Sequence, residues 1–327
     1  MRKLAASVIA LLVVLGIAAY WIWIREPNLG PPGSNPAVGA APSPSTEGLR
    51  LPKKIGSLRF AVIGDMGRGD QTQTDTANQM VRWHEKFDYD LVLMLGDNLY
   101  SNGSGAAEEY YNRFEKPYKP LLDARVKFYA TVGNHDPANI WNYAPFHMNG
   151  NRYYTFKKDD GPMPLGQGKV QFFAVDTVTL DSTELTWIRE QLAASKADWK
   201  IAFYHHPLYT SGRYGFTASR LRRILEPIFV SGGLDVGLSG HDHIYERIIP
   251  ENGVQYFTSG SGGALRKGDL HASPITAAGF DQDTHFLLIE ISGNTLYFQA
   301  ISRIGDTVDS GQFDRVQHHV APPDLRK

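Results

Sequence analysis

Five short blocks carry the side chains best suited to chemistry: Gly64-Asp65-Met66-Gly67, Gly96-Asp97-Asn98-Leu99-Tyr100, Gly133-Asn134-His135-Asp136, His205-His206-Pro207 and Gly240-His241-Asp242-His243. Their carboxylates, amide, phenol and imidazoles are oxygen and nitrogen donors, and the chain has no cysteine to add a thiolate. Such a set suits Fe, Mn or Zn better than Cu(I) or an iron–sulfur cluster. His241 and His243 stand at i and i+2, so in extended chain both point the same way and can reach one site. Two hard cations about 3.5–4 Å apart need one bridging carboxylate and roughly three terminal ligands each, and the blocks supply that number. A Gly-Asp pair after a strand can also be a simple turn with an Asx cap. That alternative fits any single block; five blocks in this order point to metal-assisted hydrolysis.

The surrounding sequence must bring these blocks together. Apolar, β-branched runs predict strands over 58–63, 90–95, 126–132, 170–175, 200–204 and 234–238. Between them, helical patterns cover 72–87, 106–122 (with a kink or break at Pro117 and Pro120), 183–194 and 219–229. Asp181 or Ser182 is the expected cap of the third helix, with Glu184 behind it. Asn252-Gly253 and Gly293-Asn294 mark turns in a strand-rich remainder. Strand–helix alternation followed by hairpins implies mixed sheets covered by helices. In open α/β sheets, ligands gather beyond the carboxyl ends of strands, where Asp65, Asp97 and Asn134 fall. His205 and His206 would project to opposite sides if both lay on one strand.

Composition narrows the possibilities further. The 327 residues are 42% hydrophobic and 12% aromatic, enough for a large core, and the net charge of −1 gives no field to recruit nucleic acid. Arg220, Arg222 and Arg223 read as the wet side of a helix. Lack of cysteine excludes a disulfide scaffold and a thiol nucleophile without fixing a compartment. Met1-Arg2-Lys3 precedes an apolar run of 21 residues, 4–24, which ends in Tyr20, Trp21 and Trp23 before Arg25. As a helix it would be roughly 31 Å long, about a hydrocarbon core. The expected organisation is a membrane anchor (1–25), a Pro/Gly/Ser-rich tether (26–48) and a catalytic domain (49–327) held outside the cytoplasm, periplasmic or extracellular. A cleaved signal peptide with Gly16-Ile17-Ala18 at the cleavage site, giving a secreted protein, is the alternative.

Over most of residues 58–260 the blocks resemble the calcineurin-like metallophosphoesterases, whose motifs run D-x-H, G-D-x-x, G-N-H-D/E, H and G-H-x-H. The sequence departs once, because Met66-Gly67 replaces the usual His after Asp65. A tyrosine three residues after Asp97 accompanies that loss, and the pairing is similar to the purple acid phosphatase branch, of tartrate-resistant type. The segments 240–247 and Ser259-Gly260-Ser261-Gly262-Gly263 resemble the same branch. The resemblance implies a four-layer α/β/β/α sandwich of two mixed sheets. It also implies that Asp65, Tyr100 and His243 hold Fe(III), that Asn134, His205 and His241 hold a divalent ion (Fe, Zn or Mn), and that Asp97 bridges. Asn134 and His135 would also meet substrate, and His135 or His206 would protonate the leaving oxygen. Arg213 and Tyr214, on a glycine-bearing loop, are candidates for substrate contact. The implied activity is acid hydrolysis of phosphate monoesters, small molecules or phosphoproteins, by a metal-bound hydroxide. A phosphodiesterase or nucleotide hydrolase on the same core is the enzymatic alternative, because substrate choice would lie in loops 137–152 and 207–217. A non-catalytic surface binding protein is the other.

Overall fold

A computed structural model describes residues 48–101, 107–158 and 170–316, so the expected anchor and most of the tether lie outside the described residues. Among the described residues no helix is long and apolar enough to cross a membrane.

Thirteen strands among the described residues form two mixed sheets. The first runs in the order β13 (Thr307–Asp314), β12 (Thr295–Ser302), β11 (His285–Ser292), β1 (Leu58–Ile63), β2 (Leu91–Met94), β3 (Lys127–Ala130). The second runs β10 (Thr276–Phe280), β8 (Tyr245–Ile248), β9 (Gln255–Ser259), β7 (Val236–Ser239), β6 (Trp199–Tyr204), β5 (Val170–Val175), β4 (Tyr154–Lys158). The strands that precede the chemical blocks are parallel within each sheet: β1 to β2 to β3 in one, β6 to β7 in the other. Their carboxyl ends therefore open on one side, as the sequence requires.

Alternation along β1 shows how the sheets stack. Phe60 and Val62 face the second sheet and join Phe172, Ile201, Phe203 and Leu238 in one cluster. Ala61 and Ile63 face the other way, onto Met80, Trp83 and Phe87 of α1 (Gln71–Phe87). On the outer face of the second sheet, Phe173, Val175 and Ala202 meet Ile188 and Leu192 of α4 (Ser182–Ala194) and Leu225 and Phe229 of α5 (Gly215–Ser231). At about 1.5–3 kcal/mol for each buried large apolar side chain, this sheet-to-sheet burial fixes which side each loop faces.

Asp70 begins α1 by accepting the Gln73 N–H, and Asp88 ends it in a left-handed conformation at φ 55°. The helix expected over 106–122 is broken in a different place. α2 (Ala107–Tyr110) passes through a π-helical turn (Tyr111–Glu115) into α3 (Lys116–Asp123), where Pro117 sits in the first turn. The backbone stays helical through Glu115 and Lys116, so Pro117 lacks an N–H that the helix would use, and the turn just upstream widens, with the Lys116 N–H reaching Tyr111 O. Asp181 caps α4 by accepting the Glu184 N–H (2.9 Å), while the Glu184 carboxylate accepts the Asp176 N–H (2.7 Å) at the end of β5.

Candidate metal centre

Each block places its donor at a sharp bend just past a strand. Asp65, Asp97 and His241 all have left-handed backbone, with φ of 54°, 48° and 69°. Asp tolerates this region better than most residues, and the bend turns its side chain back over the strand end. Gly96 makes one of these close approaches possible, because at φ 87° a Cβ there would lie 2.6 Å from His205 Nδ1. The division of labour is clean: loops of the first sheet bring Asp65, Asp97, Tyr100 and Asn134, and loops of the second bring His205, His241 and His243.

The donors converge. Asp65 Oδ2 accepts the His241 backbone N–H at 2.7 Å, while Oδ1 lies 3.2 Å from the Tyr100 hydroxyl and 3.3 Å from His243 Nε2. Tyr100 Oη is 3.0 Å from His243 Nε2. His205 Nδ1 is 2.9 Å from the Leu95 carbonyl, which can only accept, so Nδ1 carries the proton and Nε2 turns its lone pair into the cluster. Around that Nε2 stand Asn134 Oδ1 at 2.9 Å, His241 Nδ1 at 3.1 Å and Asp97 Oδ1 at 3.4 Å. Asp65, Asp97 and His205 present ligand atoms within 4.8 Å of one another, and so do His205, His206 and His241.

This arrangement fits a cation. The oxygens of Asn134 and Asp97 face the lone pair of His205 Nε2, and among the described residues no lysine or arginine pairs with Asp65 or Asp97. Burial, and then the charge of Asp97, push the Asp65 carboxyl well above the usual carboxylate range, and burial raises Asp97. Burial, with help from neighbouring imidazoles, holds His205 and His241 well below the ordinary histidine value. His243 is lowered to about 4 by burial and then by Arg266. Burial and the charges of Asp65 and Asp97 drive the Tyr100 phenol upward. Two buried acids, one raised further by the charge of the other, beside neutral imidazoles are relieved by positive charge.

The remaining sequence candidates divide. His206 does reach the cluster, its ring centroid 4.3 Å from that of His241, because β6 ends at Tyr204 and strand alternation no longer separates it from His205. Thr177 Oγ1 accepts the His206 backbone N–H (2.9 Å) and lies 3.2 Å from Nδ1, leaving Nε2 as the free ring nitrogen. His135 is exposed at the rim, its ring 5.0 Å from that of Tyr100 and its N–H donated to Asp97 Oδ1 at 2.8 Å. Tyr214 lies with its ring 4.1 Å from that of His241. Arg213 is exposed, and its backbone N–H, not its guanidinium, is tied to the site through Asp242.

Positioning residues inside the blocks had no local signal beyond their presence. Asp136 accepts the Gly133 N–H (2.7 Å), the Leu99 N–H (2.9 Å) and the Asn98 side-chain amide (2.7 Å), bracing the loop that follows β2 against the loop that follows β3. Asp242, between the two histidines, accepts the Thr210 hydroxyl at 2.6 Å and so holds the loop that carries Tyr214. Arg266, outside every block, donates to the Tyr214 hydroxyl at 3.0 Å.

Residues 58–245 match the calcineurin-like phosphoesterase family. Purple acid phosphatase 17 of Arabidopsis thaliana is 30% identical over 256 residues, covering 68% of this chain and 73% of that protein. Human tartrate-resistant acid phosphatase type 5 is 27% identical over 253 residues, covering 67% and 77%. Among solved structures, GAP50, described as the anchor in the inner membrane complex of Plasmodium, superposes with a TM-score of 0.69 at 21% identity over 80% of this chain and 90% of its own. Purple acid phosphatase PPD1 from yellow lupin seeds does so with a TM-score of 0.63 at 19% identity over 82% and 55%. These structures share the fold; the sequence relatives add the acid phosphatase activity and imply a dinuclear metal centre. With ligand-grade side chains gathered where that family's motifs fall, the chain belongs to the calcineurin-like phosphoesterases, in their purple acid phosphatase branch, and is a metal-dependent phosphatase.

Proposed function

We propose that this chain hydrolyses phosphate monoesters at acidic pH with a ferric ion and a divalent partner, Fe, Zn or Mn. Asp65, Tyr100 and His243 would hold the ferric ion, Asn134, His205 and His241 the divalent one, and Asp97 would bridge. The observation that carries this reading is the seat of Tyr100, whose hydroxyl lies within 3.2 Å of Asp65 Oδ1 and 3.0 Å of His243 Nε2. It stands where the histidine missing after Asp65 would otherwise be needed, and a phenolate with carboxylates suits a hard trivalent ion. When bound, the cations supply charge that polarises the phosphoryl oxygens and makes a water nucleophilic at low pH.

The chain's own residues orient the substrate and move protons. The Asn134 side chain, exposed at the rim, can meet a phosphoryl oxygen as well as a cation. His206 is oriented by Thr177: the Thr177 oxygen accepts the His206 N–H and can aim its own proton at Nδ1, which makes Nε2–H the donor facing the centre. His135, on the solvent side, can return a proton to the leaving oxygen. The phosphodiesterase reading has no observation of its own, and the convergence of the whole donor set disfavours a purely adhesive role. The anchor at 1–25, the tether at 26–48 and a catalytic domain outside the cytoplasm acting on a small-molecule or phosphoprotein monoester complete the proposal on sequence grounds.

The test is the visible spectrum of the purified protein together with hydrolysis of an aryl phosphate. A violet charge-transfer band that Tyr100→Phe abolishes is expected, and Asp97→Asn should collapse turnover. A colourless enzyme, fully active with Mn or Zn, would overturn the ferric assignment and leave the hydrolase standing.

A further inference from the structure

Beyond the seven donors, Arg266 is a cation held at the centre that forms no ion pair among the described residues. Arg266 lies between β9 and β10, with its guanidinium 5.5 Å from the Tyr214 ring and hydrogen-bonded to the Tyr214 hydroxyl. Among the described residues no carboxylate forms an ion pair with it; Asp269 is the acidic group near enough to act on it. Its charge reaches both His241 and His243. Arg68, 5.8 Å over the Tyr100 ring, also acts on His243 and so shares that rim, but it is engaged by Asp70 at 3.3 Å.

Both loops that place Arg266 are tied down. Asp281 accepts the Gly268 and Leu270 N–H groups (2.8 and 3.2 Å), and the His271 N–H reaches Ser211 O at 3.0 Å. On the facing loop a Cβ at Gly212 would fall 2.7 Å from Asp242 Cγ, so the chain packs directly against that carboxylate and carries Tyr214 onto His241. A guanidinium held this way offers a preorganised fork for a carboxylate or phosphate. It reaches the centre beside Tyr214, whose ring packs on that of His241, and is itself none of the donors that would hold the ions.

We propose that Arg266 binds a second anionic group of the substrate, so that the favoured class is phosphate monoesters carrying a further carboxylate or phosphate a few bonds from the scissile one. This deepens the proposed function and rests on it. The matched pair 3-phosphoglycerate and glycerol 3-phosphate tests it, because the two differ by a carboxylate in place of a hydroxymethyl group. The metal-loaded full chain should favour 3-phosphoglycerate in kcat/KM by about tenfold or more. Arg266→Met should bring that ratio to about one with metal content and spectrum unchanged, and Arg266→Lys should restore part of it. A wild-type ratio of one, or a ratio that Arg266→Met leaves intact, overturns the proposal. The hydrolase reading fails separately if the protein turns over neither ester nor an aryl phosphate; calorimetric binding of the same pair then still decides, because tighter 3-phosphoglycerate binding that is lost in Arg266→Met supports the role and equal binding refutes it.

Discussion

Replacing Asp136 with alanine removes an acceptor shared by the two loops that carry Asp97 and Asn134. Its carboxylate receives three hydrogen bonds, at 2.7 Å from the Gly133 N–H, 2.9 Å from the Leu99 N–H and 2.7 Å from the Asn98 amide. Hydrogen bonds to a charged acceptor contribute about 1.5–3 kcal/mol each. Two effects offset the loss. Burial and the charge of Asp97 already push the Asp136 carboxyl well above the usual range, so removing it relieves a repulsion. A cavity of about 400 Å³ beside Asp136, Asn134 and Trp141 also lets water reach some of the orphaned donors. The net expectation is a destabilisation of roughly 2–4 kcal/mol for Asp136→Ala, and about half of that for Asp136→Asn, which keeps one acceptor oxygen. Urea unfolding at constant m-value measures the first quantity. Because the brace orients two proposed ligands, metal affinity should fall about 10- to 100-fold, read by competition with a chelator. An Asp136→Ala protein within about 0.5 kcal/mol of wild type and with unchanged metal affinity would refute the bracing role.

Gly96→Ala should lower retained metal after dialysis and destabilise the fold by about 1–3 kcal/mol, since the new Cβ meets His205 Nδ1 at 2.6 Å and the backbone stays at φ 87°; full metal retention would contradict it. Glu184 is raised from 4.5 to about 8, chiefly by burial, so the folded state favours the neutral acid. Its effect on stability is therefore absent below about pH 4.5 and becomes an increasing penalty as pH rises to about 8, reaching at most roughly 5 kcal/mol at about 1.4 kcal/mol per pH unit. Glu184→Gln keeps an oxygen for the Asp176 N–H and should gain on wild type over that interval; a difference that stays flat from pH 5 to 8 sinks the argument.

The strands and the donors were legible for the same reason. β1 and β5 occupy 58–63 and 170–175, as expected, because β5 buries all six positions of its apolar run and β1 its last four, with Gly64 ending β1 and Asp176 ending β5. Donor types at strand ends could be read because chemistry restricts them to a few residues. What escaped depends on contacts across the fold. Asp136 bracing Leu99, Asp242 holding Thr210 and Arg266 reaching Tyr214 span 37, 32 and 52 residues, and no local period encodes such pairs. Strand alternation could not say by itself whether His206 would join His205, because one residue decides whether β6 continues. The π-helical turn escaped because proline marks a disturbance without saying on which side the helix absorbs it.

The split of the centre between the sheets has a mechanical consequence. Carboxylates, phenol and amide ride on one sheet and the imidazoles on the other, so ions held as proposed would act as rivets through an interface closed mainly by apolar packing, with a few polar ties such as Tyr245 and Arg247 to Asp309. At a thousandfold excess over its dissociation constant, each such ion would add about 4 kcal/mol against separation of the halves. Metal escape and the parting of the sheets would then be one event, and the rate of exchange into a chelator would report how often this protein comes unzipped down its middle.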